Sequence, residues 1–124
     1  MNNSKTWIII CGLLGFAGVA LGAFGAHGLK DILSPEMLEI YKTGIFYHLL
    51  HTVVLIAIVF SFKTAIPKSA FFFLLGIILF SFSLYLYAYS QLKIFAIITP
   101  FGGISFLIGW VLLIFEGVRA FKNK

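Results

Sequence analysis

The sequence is poor in charged residues, and this shortage decides its class. Only 10% of the 124 residues are charged, whereas 61% are hydrophobic and the mean hydropathy is +1.09. A small soluble protein has a large surface relative to its volume and must cover that surface with polar groups. Nine cations and four carboxylates cannot solvate a chain of this length. The composition therefore excludes a soluble enzyme or binding domain and requires lipid as the solvent.

Other scarce residues exclude particular kinds of site. Cys11 is the only cysteine, so the chain has neither an intrachain disulfide nor a four-cysteine metal site. The carboxylates form no catalytic pair or Ser-His-Asp set, and none lies at the centre of an apolar run, where a proton-coupled exporter needs one. The cations are scattered rather than clustered, which argues against nucleic-acid binding. We therefore expect no enzymatic activity, no cofactor and no nucleic-acid partner.

Four apolar runs are each long enough to cross a bilayer, which takes about 20 helical residues. They cover about residues 7–26, 44–62, 69–90 and 98–118. Backbone polar groups in hydrocarbon must be satisfied within their own segment, so each run should be a helix. The sequence predicts an all-α integral membrane protein, with four transmembrane helices in a compact bundle that forms one domain over residues 1–124.

The segments between the runs indicate where two of the helices begin. Ser34 and Pro35 are typical of a helix start, and the apolar spacing after them predicts a short amphipathic helix at the membrane interface that leads into the second span. Thr99 and Pro100 suggest the cap and first turn of the last helix. The alternative is a kinked last helix that begins earlier, near Ile94.

The distribution of cations predicts an orientation. Six Lys or Arg residues flank the N-terminus, the second linker and the C-terminus, and three flank the other two linkers. Cytoplasmic loops carry the excess of cations, so both termini should face the cytoplasm of a bacterial cell. The first run is longer than a signal-peptide core, so we expect an uncleaved anchor rather than a cleaved signal peptide. Glu116 and Arg119 are spaced for a local ion pair.

Small residues recur along one face of two of the predicted helices. Gly15, Gly18 and Gly22 share a face of the first span, and Gly102 and Gly109 share a face of the last. Helices in lipid associate through close backbone approach at such residues. The pattern predicts tight packing but leaves the partner open among this chain, a second copy and another membrane protein.

Polar side chains gather toward the predicted outer side of the membrane. The candidate site consists of His27, Tyr41, His48, His51 and Tyr85. His51 is the most deeply placed ionisable group, which makes it a functional candidate, but a neutral His51 that only hydrogen-bonds a neighbouring helix fits equally. A three-histidine metal site is disfavoured because the spacing is poor and no carboxylate lies nearby. We expect no metal.

An ordered set of motifs covers nearly the whole chain. It comprises Gly22-Ala23-Phe24-Gly25-Ala26-His27-Gly28-Leu29, Thr43-Gly44, Tyr47-His48-Leu49-Leu50-His51-Thr52, Ser83-Leu84-Tyr85 and the stretch from Thr99-Pro100-Phe101-Gly102-Gly103 to Trp110. In these motifs the chain resembles the YgdD/YwdK family of small multi-pass inner-membrane proteins, which has a mitochondrial relative and no established activity. The pattern matches at His27, His51 and Tyr85 but does not include His48. Phe82 departs from it, because the family usually shows glycine there.

The resemblance implies a four-helix membrane protein and leaves its activity open. Together with the absence of a catalytic set, this favours a non-enzymatic bundle that interacts with lipid, with another membrane protein or with itself. The alternative is a pathway for protons or small solutes, or a lipid or quinone pocket, centred on His51.

Overall fold

The computed structural model describes residues 3–62 and 64–123, and long helices account for most of them. The four helices are α1 (Ser4–His27), α2 (Pro35–Ser61), α3 (Lys68–Ser90) and α4 (Lys93–Lys122), and each is long and apolar enough to cross a membrane. This confirms the predicted all-α, four-span architecture. Lys63 and Lys124, which we counted as topological cations, lie outside the described residues.

Successive crossings give the bundle two chemically different ends. The terminal end contains the start of α1, the end of α2, the start of α3 and the end of α4. The opposite end contains the polar linker from α1 to α2 and the two-residue turn from α3 to α4. Large apolar side chains face outward between the two ends, among them Phe16, Phe60, Phe101 and Leu107. Such a surface is stable in lipid and not in water.

The second helix begins where the sequence predicts. The Ser34 hydroxyl accepts a hydrogen bond from the Met37 backbone N–H at 3.2 Å, and Pro35 occupies the first helical position. Met37 and Tyr41 are buried on the face that continues into the apolar run. The amphipathic segment therefore forms the first turns of α2 and is not a separate helix.

The fourth helix begins earlier than the preferred prediction. Thr99 does not cap it, because α4 starts at Lys93 and contains Pro100. Gln91 ends α3 in the left-handed region at φ 57°, and the Ser90 hydroxyl accepts the Leu92 N–H at 3.2 Å, which completes the turn within two residues. The segment after this turn is apolar and must satisfy its backbone groups in lipid, so it becomes helical, and a proline inside a membrane helix is tolerated.

The two central helices are α2 and α3. The backbone of α1 approaches only α2, and that of α4 approaches only α3, whereas α2 and α3 lie against each other. Gly18 faces α2 so closely that an added Cβ would lie 2.5 Å from Leu49 Cδ2. Gly15 and Gly22 also face α2. In the described structure the small-residue face of α1 therefore packs within the same chain.

The closest contact between α3 and α4 lies at a π-helical segment. Residues Ile77–Phe82 of α3 form this wider turn, and a Cβ added to Gly102 of α4 would lie 2.6 Å from the Leu79 carbonyl carbon and from Phe80 Cα. Only glycine permits this approach. Gly109 packs on Phe73, about two turns nearer the terminal end. The bulky Phe82 does not interfere, because its ring turns to the His48 imidazole, with centroids 5.4 Å apart.

Glu116 has a different partner from the predicted one. Its carboxylate accepts hydrogen bonds from the Ser69 backbone N–H at 3.0 Å and from the Ser69 hydroxyl at 2.5 Å. A side chain of α4 thus satisfies a free N–H in the first turn of α3, where the helix dipole favours negative charge. The predicted ion pair with Arg119 is absent from the described residues, whose one salt bridge joins Lys42 to Glu39 at 3.4 Å.

Candidate functional site

The His48 imidazole joins three helices near the middle of the bundle. It is fully buried on α2. Its Nε2 lies 2.8 Å from the carbonyl oxygen of Leu14 on α1, and its Nδ1 lies 2.8 Å from the hydroxyl of Tyr85 on α3. Because a carbonyl oxygen only accepts, Nε2 carries the proton and donates it to Leu14. In the neutral ring Nδ1 then accepts from Tyr85, so both nitrogens are satisfied.

Tyr41 adds a second link between α1 and α2 toward the opposite end. Its hydroxyl donates to the carbonyl oxygen of Leu21 at 2.5 Å. The ring packs against that of Tyr85 with centroids 5.1 Å apart. The structure therefore brings together Tyr41, His48 and Tyr85 from the predicted site, and their hydroxyl and imidazole groups bond to one another or to the backbone of α1.

His51 belongs to a different group of side chains, between α2 and α4. Its Nδ1–H donates to the Tyr47 carbonyl oxygen at 2.9 Å, and the Trp110 indole Nε1–H donates to its Nε2 at 3.2 Å. The Phe106 ring stacks on the imidazole with centroids 3.8 Å apart. An indole N–H can only donate, so Nε2 is unprotonated and the ring is the neutral Nδ1–H tautomer. Tyr85 of the predicted site bonds to His48 and not to His51.

The other predicted residue, His27, stands apart from both imidazoles. It is the last residue of α1 and is exposed at the opposite end of the bundle. Within residues 3–62 and 64–123, no three His, Cys, Asp or Glu side chains lie close enough together to hold a metal ion. The predicted candidate site is thus divided into an exposed His27, a network around His48 and a separate environment around His51.

A groove of about 510 Å³ lies beside His51, between α2 and α4. The backbones of these two helices nowhere approach within 8 Å, so only side chains bridge them. Apolar and aromatic residues line most of the groove, including Phe80, Phe106, Leu107 and Trp110, and Pro100 and Gly103 line its α4 wall. Its volume is in the range of small-molecule sites.

Tyr47 is the polar residue of the groove that lacks a partner. Its side chain lines the groove and is half-buried, and its hydroxyl has no hydrogen-bond partner in the described part of the chain. Its ring lies 4.7 Å from that of Phe80. In α3, Phe80 is 12 residues after Lys68 and 10 before Ser90. At 1.5 Å per residue, Phe80 therefore lies about 18 Å from one end of the helix and about 15 Å from the other.

Sequence reasoning did not identify the residues that form the groove. It selected His51 by depth, but Trp110 and Phe106 are ordinary aromatic residues of a lipid-facing helix in the sequence. One signal was present: Tyr47 directly precedes His48 and lies four residues before His51. This spacing places Tyr47 on the His51 side of α2.

Replacing His48 tests its structural role. His48→Ala removes the hydrogen bonds to Leu14 and Tyr85 and opens a cavity, so we expect a loss of about 2–4 kcal/mol in the free energy of unfolding. His27→Ala is the matched control, because it removes an exposed imidazole and should change stability by less than about 0.5 kcal/mol. Denaturant unfolding of both variants in one detergent measures the difference. Equal effects would contradict the assignment.

Comparison with known proteins places the chain in a family. Residues 21–103 match the family described as "Protein of unknown function (DUF423)". The Escherichia coli K12 inner membrane protein YgdD is 38% identical over 121 residues, which cover 94% of this chain and 92% of that protein. The Bacillus subtilis membrane protein YwdK is 34% identical over 120 residues, which cover 93% and 98%.

A membrane protein of Staphylococcus epidermidis is 41% identical over 118 residues, which cover 93% of this chain and 97% of the relative. No solved structure matches the chain. The relatives named as membrane proteins agree with the four membrane-spanning helices of this structure. The match over most of the chain makes this multi-pass membrane protein a member of the YgdD/YwdK family, DUF423.

Proposed function

We propose that this protein is a non-enzymatic bundle that holds a lipophilic ligand in the groove between α2 and α4. The observation that carries the proposal is the Tyr47 hydroxyl, a hydrogen-bond donor without a partner in a mostly apolar groove. In hydrocarbon an unsatisfied hydroxyl is costly. A ligand that offers an acceptor to Tyr47 while its apolar body covers Phe106 and Trp110 removes this cost.

The depth of Tyr47 narrows the class of ligand. Its ring lies at the level of Phe80, near the middle of α3, whereas the ester carbonyls of phospholipids lie at the bilayer surfaces. The acceptor must therefore belong to a molecule whose polar group enters the hydrocarbon region. An alkyl-substituted quinone fits, because its carbonyl oxygens accept hydrogen bonds and its flat ring can pack against aromatic side chains.

The polar groups of the bundle support binding over transport or catalysis. All four carboxylates lie near helix ends or in the first linker: Asp31, Glu36, Glu39 and Glu116. Both deep imidazoles have both nitrogens engaged. A proton path needs groups that can exchange partners, and a hydrolytic or transfer site needs a nucleophile beside a free base. Neither arrangement fits the hydrogen bonds of His48 and His51.

Ligand binding can be followed through Trp110, which lines the groove. A decyl-substituted benzoquinone titrated into protein in lipid nanodiscs should quench tryptophan fluorescence in a saturable way. Tyr47→Phe removes one hydrogen bond, worth about 1 kcal/mol, so the half-saturating concentration should rise about fivefold.

Two variants serve as controls for this titration. Tyr89→Phe also deletes one hydroxyl, but Tyr89 is exposed and does not line the groove, so the half-saturating concentration should stay as in the unaltered protein. Trp110→Phe should abolish the saturable component, because Trp7 is fully buried elsewhere. Quenching that increases linearly with the quinone in every variant would indicate simple partitioning into lipid and would sink the proposal.

We also propose that the protein resides in the bacterial inner membrane with its terminal end in the cytoplasm. The excess of cations near the terminal end supports this orientation, and the Escherichia coli relative is named an inner membrane protein. The groove opens toward lipid at mid-depth, so its access does not depend on the orientation.

Cysteine labelling tests the orientation. In a Cys11→Ala background, Asp31→Cys places a thiol in the linker at the opposite end, and Asn123→Cys places one at the terminal end. Both positions are exposed. A membrane-impermeant maleimide added to intact spheroplasts should label the first variant and should label the second only after lysis. The reverse pattern would contradict the proposed orientation.

A further inference from the structure

A second cavity, of about 700 Å³, lies at the terminal end of the bundle. It is bounded by the end of α2, the start of α3 and the last turns of α4. One part of its lining is apolar and comes from Phe62, Ile66, Phe71 and Phe115. The other part is charged and holds two cations, Lys68 at the start of α3 and Arg119 on α4, together with the Glu116 carboxylate. Its residues are separate from those of the groove between α2 and α4.

The two cations of this cavity are available to a ligand. Lys68 and Arg119 are exposed, and neither forms an ion pair with a carboxylate of the described residues. The one carboxylate of the lining, Glu116, is already held by the backbone N–H and hydroxyl of Ser69. That arrangement leaves the Arg119 guanidinium without its intrahelical partner. Two cations against one carboxylate give the lining a net positive charge.

We propose that this cavity binds one anionic phospholipid, with the headgroup phosphate between Lys68 and Arg119 and an acyl chain along Phe62, Phe71 and Phe115. The cavity matches both parts of such a lipid. Its cations lie at the helix ends, where the headgroup would be, and its aromatic residues continue toward the hydrocarbon, where the acyl chain would be. Basic pockets between transmembrane helices are suited to anionic headgroups. Arg presents paired donors that match a phosphate, and Lys adds a point charge.

Charge complementarity selects this occupant over a zwitterionic lipid. A phosphatidylglycerol headgroup has one uncompensated negative charge, whereas phosphatidylcholine carries its own cation beside the phosphate. That choline cation would face Lys68 and Arg119 at close range, and like charges repel. The site should therefore discriminate between two lipids that have identical acyl chains.

Native mass spectrometry from nanodiscs that contain equal amounts of phosphatidylglycerol and phosphatidylcholine tests the proposal. The unaltered chain should retain one phosphatidylglycerol. A cation at the membrane surface strengthens anionic-lipid binding about fivefold. The double variant Lys68→Gln, Arg119→Gln should therefore weaken retention about 25-fold. In detergent without phospholipid its thermal stability should not change, because neither side chain bonds to the described residues.

Lys122→Gln is the matched control. Lys122 is exposed on the same end of the bundle, one helical turn from Arg119, but does not line the cavity. If the lipid binds at a defined site, Lys122→Gln should retain phosphatidylglycerol as well as the unaltered chain does. Loss as large as that in the double variant would show diffuse surface attraction and overturn the proposal, as would equal retention of both lipids. Quinone quenching of Trp110 is independent of every outcome, since the two cavities share no residue.

Discussion

The His48 imidazole makes the contact on which the arrangement of the first three helices depends. Its two nitrogens bond to Leu14 on α1 and to Tyr85 on α3, and the backbone of α1 approaches no helix other than α2. Apolar packing alone gives helices in lipid little preference for one register, because lipid chains solvate them equally well. A buried imidazole with directed bonds supplies that register, and Gly18 provides the space for α1 to come close.

The same requirement, that polar groups in lipid be satisfied from within the protein, explains the rest of the bundle. Glu116 bonds to Ser69 at the start of α3, and the Ser105 hydroxyl donates to the Phe72 carbonyl oxygen at 2.7 Å. The Trp110 indole N–H donates to the Nε2 of His51 and so satisfies it. Against this background the buried Ser81 Oγ and the Tyr47 hydroxyl in the groove are exceptions, because neither has a hydrogen-bond partner in the described residues. Exceptions to hydrogen-bond satisfaction call for an explanation. For Tyr47, a ligand with a hydrogen-bond acceptor supplies this explanation. Such a ligand would connect the packing of α2 and α4 to function.

The sequence predicted the class, the number of spans and the start of α2, because these follow from hydropathy and from the local cap at Ser34. It could not decide the start of α4, since Pro100 is compatible with either a first turn or a membrane-helix interior. It also could not assign partners. His48 and His51 are three residues apart on one helix, so they point only about 60° apart around its axis, yet they bond to different helices. Only the packing of α1, α3 and α4 shows which imidazole contacts which helix.

The central claim is that both deep imidazoles are neutral parts of the framework and not carriers of protons. Solid-state NMR of the chain with ¹⁵N-labelled histidine in lipid bilayers measures this directly, since protonated and unprotonated ring nitrogens have well-separated shifts. The structure predicts a proton on Nε2 of His48 and on Nδ1 of His51, and the two opposite tautomers should persist at neutral pH. A doubly protonated ring at either position, or a proton on Nε2 of His51, would contradict the account.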